Sequence, residues 1–122
     1  MSGEIKATLG VLGGGQLARM LAEAAAPLAI RCAAVDGSAA ACAGQVGPLL
    51  VAGWDEVDKL DAFAGTVDAL TFDFENVPAD IAHRLAGKVP VRPNPDALAV
   101  AQDRITEKNR FRACGIPTAE FM

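Results

Sequence analysis

The 122-residue chain has no tyrosine, and aromatic residues make up only 5% of it. That scarcity leaves the core to Ala, Val, Leu and Ile, which suits close helix–sheet packing more than an aromatic stacking surface. Positive charge is also short. Eleven Lys and Arg face 15 Asp and Glu, a net charge of -4, which excludes a general affinity for nucleic acid or an anionic membrane surface. No run approaches the roughly 20 apolar residues that cross a bilayer, and no basic stretch followed by an apolar one appears near the N-terminus, so no signal peptide is evident. Three cysteines, Cys32, Cys42 and Cys114, lack CxxC spacing. They read as free, mostly buried thiols in a reducing cytoplasm. A nucleophile elbow, a P-loop lysine pattern and a zinc ligand set are all missing.

What is present is an alternation of apolar runs and helical spacing. Hydrophobic residues make up 52% of the chain and charged residues 21%, which is a globular balance. Strands are predicted over 7–12, 30–35, 48–52, 67–74 and 88–92, the last shortened by Pro90. Between them lie a helix over 16–26, with Leu17, Met20, Leu21 and Ala24 at helical spacing, and a turn-rich stretch over 37–47. Further helices are predicted over 56–64 behind Asp55 as cap, over 78–86 with Pro78 in the first turn, and over 96–102 and 103–114. Gly115 and Pro117 end the last helix, and residues 116–122 read as a short extended piece. Strands alternating with helices imply a parallel sheet with helices against it. The expected class is α/β, one Rossmann-like domain over 1–122.

Three segments carry chemistry. Gly13-Gly14-Gly15 joins the first strand to a helix that starts at once, and Gly13-x-Gly15-x-x-Ala18 fits a dinucleotide fingerprint with Asp36 where a ribose-binding acid belongs. The same loop also suits a phosphorylated metabolite held by backbone amides, or a tight turn with no ligand. The second segment, Thr71-Phe72-Asp73-Phe74-Glu75-Asn76-Val77-Pro78, ends the fourth strand. Ligands bind outside the carboxyl ends of parallel strands, and there Glu75 could accept hydrogen bonds from hydroxyls or an amine, while Asn76 both donates and accepts. The alternative is that these side chains only solvate and cap the next helix; two acids alone do not make a Mg²⁺ site. In the third, Gln102 to Phe111, Asp103 caps a helix and Arg104 and Lys108 share a face at i and i+4, either to receive phosphate or as a solvated charged surface. The single histidine, His83, has no evident companion, and Trp54 reads as a packing anchor.

Taken together, GVLGGGQLARML, TFDFENVP and RPNPDALAVAQDRITEKNRFRACGIPTAEF resemble the N-terminal domain of the N5-carboxyaminoimidazole ribonucleotide synthases, of the ATP-grasp superfamily. The likeness runs in order along nearly the whole chain. It implies a pre-ATP-grasp domain, with the ATP-grasp and C-terminal domains absent from this sequence, and a parent ligase that joins bicarbonate to 5-aminoimidazole ribonucleotide with ATP and Mg²⁺ in purine biosynthesis. By matching position, the resemblance puts Gly15, Gln16 and Leu17 at the ribonucleotide, with Gly13 and Gly14 allowing its approach. It puts Glu75 on the ribonucleotide with Asn76 beside it, and Arg104 at ATP, with Lys108 standing behind. It further implies a cytoplasmic homodimer, an inactive isolated domain, and main ATP and Mg²⁺ ligands outside this chain. Another ATP-grasp ligase, such as a glycinamide ribonucleotide enzyme, stays open, although that relative typically carries Glu where this chain has Gln16. A NAD(P)-binding oxidoreductase domain and a ligand-free interaction module stay open as well.

Overall fold

Ala7–Leu12, an apolar run with no polar break after Thr8, forms the central strand β1 of the computed structural model, which describes residues 4–120. Strands β2 (Ile30–Asp36), β3 (Leu49–Val51) and β4 (Ala69–Phe72) complete one parallel sheet in the order β3-β2-β1-β4. The chain winds outward from β1 to β3, then returns to the other side of β1 with β4. The ends of β1 and β4 therefore flank the point where the winding reverses, which is where open α/β sheets bind ligands. In register, Leu12 lies opposite both Val35 and Phe72.

Helix α1 (Gln16–Ala25) covers one face of the sheet. Its Ala18 and Ala25 pack with Val11, Cys32, Ala34 and Ala43. Helices α2 (Val57–Ala64) and α3 (Ala79–Ala86) cover the other, around Leu12, Val35, Leu60, Leu70, Ile81 and Leu85. Trp54 packs against this larger cluster, as an anchor should. Helices α4 (Pro95–Ala101) and α5 (Arg104–Ala113) follow. Leu98 of α4 reaches the core, whereas α5 buries no residue. Asn94 caps α4 by accepting from the Asp96 amide at 2.8 Å, and Asp103 caps α5 by accepting from the Ile105 amide at 3.2 Å. Gly115, at φ 76°, takes the left-handed conformation that ends α5.

The Rossmann-like α/β class is as expected, but several local expectations need correction. The large residues of α1 do not face the core. Leu17 and Met20 are 60% and 52% exposed, while the sheet is met by alanines. Helical spacing marks a stripe but not the side on which it packs, and here the small stripe permits the closer approach. The predicted fifth strand over 88–92 is reduced to one parallel bridge, Leu70 to Val91; Pro90 and Pro93 bracket it without amide donors. The fourth strand stops at Phe72 rather than at residue 74. Asp55 does not cap α2. Glu56 holds that position, and its carboxylate accepts from the Gly53 amide at 2.8 Å instead of from the helix. Pro78 stands one residue before α3 rather than in its first turn. Residues 116–120 form no strand, and residues 121–122 of that predicted piece lie outside the described residues. Of the cysteines only Cys32 is buried; Cys42 is half-buried and Cys114 exposed. His83 has a companion after all. Its ring nitrogens lie 2.7 Å from Ala79 O and 2.7 Å from Asp96 Oδ1, tying α3 to α4, and these acceptors raise its pKa, Asp96 foremost.

These two surfaces of the helices separate in a stability experiment. Leu60→Ala, which empties a fully buried position under the sheet, is expected to destabilise the fold by about 3 kcal/mol. Met20→Ala, on the exposed stripe of α1, is expected to change it by less than about 0.5 kcal/mol. Urea unfolding followed by circular dichroism measures both; equal losses would return the large stripe of α1 to the core.

Candidate functional site

Gly13, Gly14 and Gly15 carry the chain from β1 into α1. The turn needs φ 102° at Gly13, a region that L side chains rarely adopt. A Cβ at Gly13 would also lie 1.9 Å from Asp73 Oδ1. Gly15 holds the capping position just before α1, and it has no side chain with which to cap the helix. Two carboxylates from other strands instead brace the loop just before the helix. Asp36, at the end of β2, accepts from the Gly14 amide at 2.9 Å, and Asp73, just beyond β4, accepts from the Gly15 amide at 3.0 Å. Both sit where the positive end of the helix dipole favours negative charge.

This arrangement changes the reading of the loop. The amides of Gly14 and Gly15, which a phosphate would use, already serve the protein's own carboxylates. Asp36 is turned inward as well, with its second oxygen accepting from the Ser38 amide at 2.9 Å. It is therefore engaged in the loop rather than displayed to a ribose. The loop is a closed turn, and the first groups beyond it that remain exposed are Gln16 and Leu17. The Gln16 Oε1 lies 3.7 Å from the Cys42 thiol, which sits on the short helical turn Cys42–Gln45.

On the β4 side, the chain leaves the sheet at Asp73 and runs through exposed Phe74, Glu75 and Asn76. A cleft of about 400 Å³ opens there, lined by Asp73, Phe74 and Glu75 and by Ala97 and Ala101 of α4. Gln102, at the end of α4, donates from Nε2 to the Glu75 carbonyl at 2.9 Å and also to the Val77 carbonyl. Sequence reasoning does not single out this glutamine as a site residue; a polar side chain at the end of a predicted helix is the available signal. Arg104 opens α5 two residues later. It is largely exposed and pairs with Glu107 at 3.0 Å. The structure thus joins the glycine loop to the Glu75 segment through Asp73, and that segment to α4 through Gln102. Gln16, Leu17, Asn76 and Arg104 do not line the cleft. Among the described residues, no group of three or more His, Cys, Asp or Glu could hold a metal ion. No helix among them is long and apolar enough to cross a membrane.

Asp73 is the electrostatic oddity of the site. Burial pushes its carboxyl up from the ordinary value; the Gly15 amide opposes this, and the negative charge of Asp36 adds to it. Its Oδ1 is buried and, among the described residues, is the buried side-chain polar atom with no hydrogen-bond partner.

Comparison with known proteins places this geometry. Residues 6–102 match the family model of the ribonucleotide synthetase preATP-grasp domain. N5-carboxyaminoimidazole ribonucleotide synthase of Pseudomonas aeruginosa is 44% identical over 113 residues, covering 93% of this chain and 31% of that protein. The crystal structure of N5-carboxyaminoimidazole ribonucleotide synthetase from Thermus thermophilus superposes with a TM-score of 0.87 at 48% identity, over 90% of this chain and 31% of that one. The Aspergillus clavatus N5-carboxyaminoimidazole synthase, solved with ADP and 5-aminoimidazole ribonucleotide, superposes with a TM-score of 0.83 at 30% identity, over 95% of this chain and 31% of that one. The chain spans about a third of the length of these relatives.

The loop geometry predicts a sharp difference between two glycines. Gly13→Ala meets both the positive φ and the Asp73 carboxylate, and is expected to lose about 2 kcal/mol or more of stability. Gly37→Ala, whose Cβ would meet nothing within 4 Å, is expected to stay within about 1 kcal/mol of the parent. Chemical denaturation of the two variants decides, and a tolerant Gly13 would contradict the packed turn.

Proposed function

This chain belongs to the ribonucleotide synthetase preATP-grasp domain family, and we propose that it is the substrate-side domain of an ATP-dependent ligase that carboxylates 5-aminoimidazole ribonucleotide with bicarbonate in purine biosynthesis. The observation that carries this reading is the joining of the Gly15-Gln16 turn to the Glu75 segment at the reversal of the sheet's winding. Two exposed polar residues, Gln16 and Glu75, leave adjacent strand ends, where a ligand with both hydroxyl and amine groups would find donors and acceptors.

In this proposal Gln16 and Leu17 contact the ribonucleotide, Glu75 accepts from its hydroxyls or amine, and Asn76 lies beside it. Gly13 to Gly15 let the ligand approach the backbone. Their amides are committed, so the loop does not hold its phosphate. Arg104 reaches ATP from the start of α5, which requires it to exchange its exposed pair with Glu107 for the nucleotide. ATP with Mg²⁺ supplies the phosphoryl group that activates bicarbonate; the metal's ligands and most of the nucleotide's belong to ATP-grasp and C-terminal domains outside residues 1–122. A cytoplasmic homodimer is part of the same proposal. The dinucleotide alternative loses support because Asp36, its ribose ligand, is turned to Gly14 and Ser38.

Steady-state kinetics of the complete synthase carrying this domain, with each substrate varied in turn, test the assignment. Glu75→Ala is expected to raise KM for the ribonucleotide roughly tenfold or more, the worth of a hydrogen bond to a charged group. Arg104→Ala is expected to do the same for ATP while sparing the ribonucleotide. Unchanged constants for both substrates in both variants would remove these residues from the site. The 122-residue chain alone is expected to catalyse no ATP-dependent carboxylation.

A further inference from the structure

Asp73 is an expensive residue to keep. A buried carboxylate oxygen without a partner costs stability, and a neutral side chain would sit more comfortably against Gly13. Its contacts indicate what it does. Asp73 touches the loop at three successive places: its amide donates to Leu12 O at 3.2 Å, its Oδ1 lies against Gly13, and its Oδ2 accepts from the Gly15 amide at 3.0 Å. Gly15 immediately precedes Gln16. On the other side Asp73 is two residues from Glu75, whose carbonyl is fixed by Gln102. One carboxylate therefore stands between the two residues assigned to the ligand.

We propose that Asp73 is a positioning residue that locks the glycine loop to the Glu75 segment and so holds Gln16 and Glu75 in one frame. The role in substrate binding rests on the reading given under Proposed function; the lock itself does not. Asp73 acts through the Gly15 amide and not on the ligand.

The groups that face it are few. Asp36 is the charged neighbour, from the end of β2. The α1 side offers backbone amides, and the cleft residues of α4, Ala97, Leu98 and Ala101, do not titrate. Because the folded-state carboxyl binds its proton more tightly than the unfolded one, its contribution to stability falls as pH rises from the ordinary carboxyl value through the raised one. Over the same window the ionised carboxylate becomes the better acceptor for Gly15. A residue kept only for stability would not couple a stronger bond to a weaker fold.

Nuclear magnetic resonance of the ¹⁵N-labelled chain tests this from about pH 3 to pH 7. In the wild type, the Gly15 amide proton is expected to titrate with a midpoint above the ordinary carboxyl value. In Asp73→Ala that titration disappears, amide exchange at Gly15 accelerates roughly tenfold or more, and affinity for 5-aminoimidazole ribonucleotide falls by a similar factor. Asp73→Asn, which retains an acceptor, restores slow exchange at Gly15 but not the titration. A wild-type Gly15 that fails to titrate, or an Asp73→Ala chain with unchanged exchange at Gly15, overturns the proposal. If Asp73→Ala does not fold, the wild-type titration decides alone. If Gly15 behaves as expected but the wild type does not bind the ribonucleotide, the lock stands and the substrate reading fails.

Discussion

Helix α1 follows a glycine, has no acidic residue in its first turn and has no side-chain cap of its own. The amides of Gly14 and Gly15, just before it, are taken by Asp36 from β2 and Asp73 from β4. That double brace on the loop is the constraint on which the rest depends. It ties the central strand's exit to both neighbouring strands by charge-assisted bonds at the positive end of a helix. It also decides what the loop is for. A free run of glycine amides at a helix start is an anion site, but here the anions are built in. The proposed ligand contacts therefore lie outside the loop, at Gln16 and Glu75, the side chains that follow each strand end.

The near absence of aromatics is part of the same construction. With alanines at 18 and 25 against the sheet, α1 can lie close enough for carboxylates of neighbouring strands to reach the loop that leads into it. A large side chain at Ala18, in the first turn of α1, would lift the helix and pull the Gly14 and Gly15 amides away from their acceptors. The bulky residues are instead turned out, and Leu17 is the one that sits beside Gln16 at the mouth of the loop. The opposite face of the sheet uses a different solution, with Leu60, Phe63, Leu70 and Leu85 filling the thicker space beneath α2 and α3.

The order of strands and helices was legible because apolar runs and glycine or proline breaks mark elements without reference to their partners. The pairing of the glycine loop with the β4 exit came from the family resemblance, because the rule for parallel sheets marks strand ends as ligand sites without saying which strands are neighbours. The packing side of α1 was not legible, because two stripes, one large and one small, have the same helical period, and only the fit to the sheet chooses between them. The roles of Asp36 and Asp73 were hidden for a related reason. Each bonds to an amide more than 20 residues away, a contact that no local pattern encodes, and an acid at a strand end reads equally as a ligand or as a brace. Gln102 shows the same limit, for its partners are carbonyls of a segment 25 and 27 residues earlier.

The placement of Arg104 shows how polar bonds extend the frame beyond the core. Helix α5 buries nothing, and Ile105 and Phe111 remain exposed on it, so hydrophobic packing does not fix its direction. What fixes its start is a sequence of local bonds: Asn94 caps α4, Leu98 anchors that helix in the core, Gln102 holds the carbonyls of Glu75 and Val77, and Asp103 caps α5 one residue before Arg104. The arginine's distance from Glu75 is therefore inherited from the register of α4, not from its own contacts. Its pair with Glu107 is exposed, where an ion pair contributes little, so the guanidinium can leave it at small cost. The backbone beneath Arg104 is held while its side chain is only loosely committed, which is the division that the proposed contact with ATP requires.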